Sequence, residues 1–200
     1  MKPNNVFIFC VIRRPAAMLV AGLGVLAAGC THTTKIRVAP TANIQTAVAT
    51  RISLHVGLML DASFCSYTKE FSTGMGDTWV YRLGPRLQQQ SISLCEQTFQ
   101  RVKVSTNGVA PDGVDVLLIP EIHRCGYARS TTDELMFTLP VQWTMKDPGG
   151  RHILWMATPD GRARGRDKRV FQSLFDDLVN NSYRAFQESP EIRRLSGKTR

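Results

Sequence analysis

The chain has 200 residues, 43% apolar and 20% charged, a composition that supports one globular domain with a real core and excludes a disordered chain. No repeat and no low-complexity tract is visible, which excludes a solenoid. The formal charge is +9; the first thirty residues carry Lys2, Arg13 and Arg14 and no acid, leaving +6 for the rest, an excess that bears on association with phosphate-bearing partners and not on fold or reaction.

The chain opens with "VFIFCVI", then Arg13 and Arg14, then the uncharged run "PAAMLVAGLGVLAAG". A bilayer core needs about 20 consecutive apolar residues of helix, so this run is too short to span. A basic stretch, a short apolar run and small residues at its end describe a secretory signal peptide over residues 1–29. A twin-arginine signal rests on the Arg pair alone, without its flanking pattern.

The run closes on "LAAGC", which resembles the lipobox of bacterial lipoproteins. The resemblance implies that Ala28 and Gly29 are the small residues at the cleavage site and that Cys30 becomes the acylated first residue of the mature chain. The third position before the cysteine is Ala27 where the family most often has Leu, with Leu26 one place earlier. The chemistry needs a thiol for the thioether and small neighbours that let a peptidase reach the backbone. Three acyl chains, as the resemblance implies, anchor permanently, because two already suffice at about 0.8 kcal/mol per buried methylene. Thr31, in place of Asp, points by the family's sorting rule to the outer membrane. The other reading is a secreted protein cut elsewhere, with Cys30 bridged or removed.

Residues 30–50, rich in Thr and Ala and with few large apolar side chains, are expected to be a lipidated flexible tether, because such a stretch buries too little surface to offset its ordering entropy. His32 is expected to be solvated there, and "KIRVA" could add a short edge strand. In "ISLHVGLMLD", Leu54, Val56, Leu58 and Leu60 alternate with Ser53, His55, Gly57 and Met59, predicting a strand. "FCSYTKEF" is its expected hairpin partner, and "STGMGDT" a glycine-containing loop. Pro85 suits a first helical turn. Leu87, Leu94, Cys95 and Phe99 then share one face, with Gln88, Gln89 and Gln90 mostly on the wet side.

"RVKVST" and "VDVLLIPEI" follow, the second a mostly apolar run expected of a strand covered on both faces. "LMFTLPVQWTM" alternates without a miss from Leu135 to Met145, and Pro140 within it suggests an edge or an irregularity. "KDPGG" turns the chain into "RHILWMAT", a long antiparallel hairpin. Phe171, Leu174, Phe175, Leu178, Ser182, Ala185 and Phe186 follow helical spacing, predicting an amphipathic helix over 168–187. Residues 191–200 read as a polar tail. The expected architecture over 51–190 is α+β: one antiparallel or mixed sheet covered by two amphipathic helices.

No phosphate loop, GxSxG, HExxH, CxxC or EF-hand pattern occurs. No residue is assigned as catalytic, no cofactor or metal is expected, and Glu70, Asp77, Asp115, Glu121 and Asp133 show no spacing that would pair two carboxylates. His123 and Cys125, at the end of an apolar strand, could supply two metal ligands or part of a solute-binding or enzymatic site if others converge. Once Cys10 leaves with the signal and Cys30 is acylated, three thiols remain. Cys95 lies on the apolar helix face as a small core residue; in an oxidising compartment one pair could be bridged with one thiol left over, Cys65 and Cys125 being the pair favoured, although connectivity cannot be read from sequence.

Arg162, Arg164, Arg166, Lys168 and Arg169 crowd "GRARGRDKR". If the segment is extended, the first three arginines point to one side, and guanidinium forks suit phosphates. In an envelope protein those phosphates are anionic lipid headgroups; the plainer reading is a solvated basic loop. With an export signal in place, no nucleic-acid partner is expected.

The layout of lipobox, short tether, strand pair, helix, strand, long hairpin and closing helix resembles small periplasmic α/β lipoproteins such as those of lipopolysaccharide assembly. "VDVLLIPEI" followed by "VQWTMKDPGG" carries the similarity, over residues 50–190. It implies a non-catalytic accessory role beside an outer-membrane or transport-complex protein.

Overall fold

A computed structural model describes residues 31–34, 39, 41–44, 50–72, 78–129, 134–165 and 170–198. The fold is α+β. Among the described residues it has two sheets and four helices where one sheet and two helices were expected.

The central strand β2 (Ile52–Met59) buries Leu54, Val56 and Leu58 on its apolar side. Its partner is not the next segment. Residues after it form a single helical turn, α1 (Ala62–Cys65), whose N-cap Asp61 accepts the Phe64 N–H at 2.6 Å, satisfying a donor that the first turn leaves orphaned. The expected hairpin of "FCSYTKEF" with β2 is replaced by a different one: β3 (Thr68–Ser72) runs antiparallel to β4 (Thr78–Arg82), and β1 (Thr31–Thr34) adds in parallel to β4. These three make a small separate sheet.

Helix α2 (Gly84–Thr98) carries Pro85 in its first turn and presents Leu87, Leu94, Cys95 and Thr98 to the core. A Cβ on Gly84 would lie 2.4 Å from the Cys65 carbonyl oxygen, so only glycine lets α2 approach the α1 turn this closely. The chain returns in β5 (Phe99–Ser105) and β6 (Val116–Ile122), both parallel to β2. The crossover between β2 and β5 needs a helix, which α2 supplies.

Next come β7 (Gly126–Arg129) and β8 (Leu135–Lys146), then β9 (Ile153–Ala157) and β10 (Asp160–Gly165). The large sheet runs β10-β8-β6-β2-β5, with β7 and β9 also on β8. The first half of β8 pairs with β7 and β10, the second with β6 and β9. Pro140, which has no N–H to give a ladder, sits where β8 changes partners. The expected hairpin of β8 and β9 is present, with Asp147 taking the Arg151 and His152 amides at 2.7 and 2.8 Å in its turn.

Phe137, Leu139, Val141, Trp143 and Met145 of β8 face inward and are buried. Helix α3 (Val170–Glu188) covers them. Its Phe186 is fully buried and touches the rings of Phe99, Trp143 and Trp155, with centroids 5.3–5.4 Å apart. Trp143 Nε1 donates to Ser182 Oγ at 3.1 Å, so the indole is buried without losing its hydrogen bond. The expected polar tail instead forms α4 (Pro190–Lys198). Ser189 Oγ accepts the Ile192 N–H at 3.2 Å, Ile192 is wholly buried, and Leu195 packs half-buried against the same core; two apolar side chains and a cap dock the helix.

Candidate functional site

Cys30, Gly29 and Ala28 lie outside the described residues, as do Arg166, Lys168 and Arg169. What the structure does place is the chain directly after Cys30. Thr31 stands opposite Thr78 and His32 opposite Trp79 in the parallel ladder of β1 and β4. The His32 ring stacks on the Trp79 indole, centroids 4.7 Å apart and planes inclined by 24°. His32 is therefore half-buried in a sheet, a departure from the solvated position expected of it.

Further along the expected tether, residues 39 and 41–44 lie across α2 and α3. Gln90 Nε2 donates to the Ala39 carbonyl and, at 3.1 Å, to that of Thr41. Gln97 Nε2 donates to the Ala42 carbonyl at 3.0 Å, and the Ala42 N–H donates to Ser93 Oγ at 3.0 Å. From α3, Gln172 Oε1 accepts the Ala39 N–H at 2.7 Å and Asn180 Nδ2 donates to the Asn43 carbonyl at 3.1 Å. Ala42 is buried. The reason entropy does not win here is that side-chain amides of two helices supply the partners that a strand would otherwise supply. Gln90 was expected on the wet side and is 2% exposed. The signal was present: Gln90 and Ser91 fall inside the stripe of Leu87, Leu94, Cys95 and Thr98, and a polar residue on a buried stripe must find a partner.

The basic row is only partly placed. Arg162 and Arg164 lie on one face of β10, opposite Thr138 and Met136 of β8, as extended alternation requires. Each is engaged: Arg162 Nε is 2.8 Å from Asp160 Oδ2, and Arg164 Nε is 2.5 Å from Glu134 Oε2. Their side chains remain 74% and 58% exposed. The strand itself is fixed by its other face, where a Cβ on Gly161 would lie 2.3 Å from the Leu174 carbonyl oxygen of α3. The Arg162 N–H, on the open edge of the sheet, is taken by Asp177 Oδ2 at 2.8 Å.

The expected bridge between Cys65 and Cys125 is not formed; Cys65, Cys95 and Cys125 are free thiols. Cys65 closes the α1 turn at partial exposure, whereas Cys125 is buried with its Sγ 3.8 Å from the Gly126 carbonyl oxygen. Burial pushes the Cys125 thiol up to about 11, against a small opposing pull from Lys69, and pushes Cys95 far up. Neither is a poised nucleophile.

His123 and Cys125 do not converge on a site. His123 is exposed and its Nε2 lies 2.9 Å from Gln142 Oε1, while Cys125 turns into the core. Among the described residues no group of three or more His, Cys, Asp or Glu is placed to hold a metal ion. An open cleft of about 330 Å³ lies at the ends of β2 and β6, lined by Asp61, Ser63, Phe64, Tyr67, Glu121 and Ile122. Asp61 is occupied there as the α1 cap. Of "STGMGDT", residues 73–77 lie outside the described residues.

The large sheet carries its helices on one face. The other is partly covered by the 106–115 segment, whose Pro111 packs against Gly57. Beyond it Met136, Ile153 and Met156 are 46%, 61% and 55% exposed. Among the described residues no helix is long and apolar enough to cross a membrane.

No protein-family model matches the chain, and no curated protein matches it in sequence. The solved structures to which it is similar include bacterial lipoproteins. One is lipoprotein GNA1162 of Neisseria meningitidis, 14% identical, with 68% of this chain aligned to 99% of that one at a TM-score of 0.40. Another is the uncharacterized lipoprotein B of Nitrosomonas europaea, 10% identical over 78% of this chain and 93% of that one, TM-score 0.34. A Xanthomonas campestris protein of the DUF330 family is 11% identical over 84% of this chain and 99% of its own length, TM-score 0.49.

Proposed function

We propose that the protein is a lipid-anchored lipoprotein of the bacterial envelope, held at a membrane, most simply the outer one, through acylated Cys30. Its folded part is a non-catalytic accessory module. The observation that carries this reading is "LAAGC" at the end of a short basic-then-apolar leader. Two further features support it. The face of the large sheet opposite the helices offers exposed Met136, Ile153 and Met156 to a protein partner, in keeping with an envelope assembly or transport role. Arg162 and Arg164 remain open enough for anionic lipid to compete with their carboxylate partners, because exposed ion pairs are worth about 1 kcal/mol at most. The buried thiols and the dispersed His123 and Cys125 give no support to a reactive centre.

Metabolic labelling with a clickable fatty acid tests the anchor. The wild-type chain takes up label and fractionates with membranes; Cys30→Ala does neither. An unlabelled wild-type protein recovered from the soluble periplasm would end the reading.

A further inference from the structure

Strand β1 starts on Thr31, the residue directly after Cys30, so an acyl anchor on Cys30 is joined to the small sheet by a single peptide bond. From this, and resting on the lipid-anchor reading above, we infer that the Thr31–Thr78 end of the small sheet is a membrane-contacting surface, with the stacked His32 and Trp79 at the level of the lipid headgroups.

The argument is one of reach. Consecutive Cα atoms are about 3.8 Å apart, neighbouring strands about 4.8 Å apart, and a strand rises about 3.3 Å per residue. Thr31 is paired with Thr78 and His32 with Trp79, so the Trp79 backbone lies within about 8 Å of the Cys30 backbone. The headgroup layer of one leaflet is itself about 5–8 Å thick. Acyl chains rooted in the hydrocarbon therefore hold Trp79 in or against that layer however the body is tilted. A true 20-residue flexible tether would instead place the body about 25 Å away on average.

Two observations keep the short connection from lengthening. Extending β1 would break its ladder with β4 and the ring stack of His32 on Trp79. The next described residues, 39 and 41–44, are pinned to α2 and α3 by the amides of Gln90, Gln97, Gln172 and Asn180. The chemistry of the surface also suits its partner. Thr31 and Thr78 present hydroxyls, and a half-buried Trp with an apolar body and one N–H donor is the side chain favoured at a membrane interface.

Trp79 can report on this directly, since Trp143 and Trp155, the other two tryptophans, are buried under α3. The acylated protein is reconstituted into phosphatidylcholine vesicles, plain or containing lipid with a nitroxide on its headgroup. Tryptophan emission is expected to fall in the nitroxide vesicles, and the quenched share is expected to be absent in Trp79→Phe. A Gly/Ser spacer of about 20 residues inserted between Cys30 and Thr31 keeps Trp79 and the fold but restores a stand-off of about 25 Å, and is expected to abolish the quenching. A wild-type protein that carries its acyl mass and floats with the vesicles, yet emits equally in both, overturns the membrane-contacting surface and leaves the anchor standing. A protein without acyl mass on Cys30 overturns both.

Discussion

Two polar regions of the molecule carry opposite weights. The arginines of β10 are the loudest polar feature of the sequence, and in the structure Arg162 and Arg164 stand in water, each beside one carboxylate. The amide clasp of α2 and α3 is silent in the sequence, yet Gln90 is buried and holds two carbonyls of a segment some fifty residues away. Burial, and not charge, sets the energy. An exposed pair is worth about 1 kcal/mol at most, whereas losing the partner of a buried polar group costs about 1–3 kcal/mol. The strand that carries the arginines is positioned by Gly161, which has no side chain at all.

That contrast is sharpest at Gly161. In Gly161→Ala the new Cβ would meet the Leu174 carbonyl oxygen at 2.3 Å and the Leu178 Cβ at 2.7 Å, and neither backbone nor a packed Cβ can yield cheaply. The expected loss is about 3 kcal/mol, at the top of the range for overpacking, read as a lower urea midpoint at unchanged slope. A loss below about 1 kcal/mol would mean that α3 does not fix β10. Gln90→Ala comes next. The Ala39 and Thr41 carbonyls are close enough to the surface to regain water, and the Gln90 Oε1, itself buried without a partner, is removed, so the global cost is expected near 1 kcal/mol. Its signature is local. The Ala42 N–H, which donates to Ser93 Oγ, should lose hydrogen-exchange protection ahead of the core amides; unchanged protection would show that the clasp does not depend on Gln90.

The same contrast explains what could be read from the residues alone. Alternation announced β8 from Phe137 to Met145, and helical spacing announced α3 from Phe171 to Phe186, because both patterns record apolar side chains leaving water. The described residues between 31 and 44 record little of the kind: Ala42 is buried and Ile44 packs half-buried against the core, and residues 39 and 41–43 are held by hydrogen bonds to their own backbone. Composition cannot reveal a backbone whose partners lie on other elements, so the stretch read as a tether. Pairing went the same way. Strand β2 finds β5 and β6 in parallel across a helix, while the local segment that looked like its hairpin partner joins β4. Of the candidate site, the side-by-side placement of Arg162 and Arg164 followed from strand period, but the pairing of Arg164 with Glu134 did not, since Glu134 is thirty residues away.

The smallest expected effect on stability, and the one that separates charge from burial most cleanly, belongs to those arginines. Replacing Arg162 and Arg164 together by Ala removes two exposed pairs, and the unfolding free energy read from urea titration should move by no more than about 0.5 kcal/mol per site. Binding should move more. In protein made without residues 1–30, so that no acyl chain contributes, affinity for vesicles rich in phosphatidylglycerol should fall by up to about 1 kcal/mol per arginine at low salt. The difference should shrink near 0.1 M salt, where the Debye length is about 10 Å. Glu134→Gln, which frees the Arg164 guanidinium from its 2.5 Å partner, should shift binding the opposite way. If neither substitution changes vesicle affinity at low salt, the row serves only to keep the β10 surface solvated, and lipid contact rests on the Cys30 end alone.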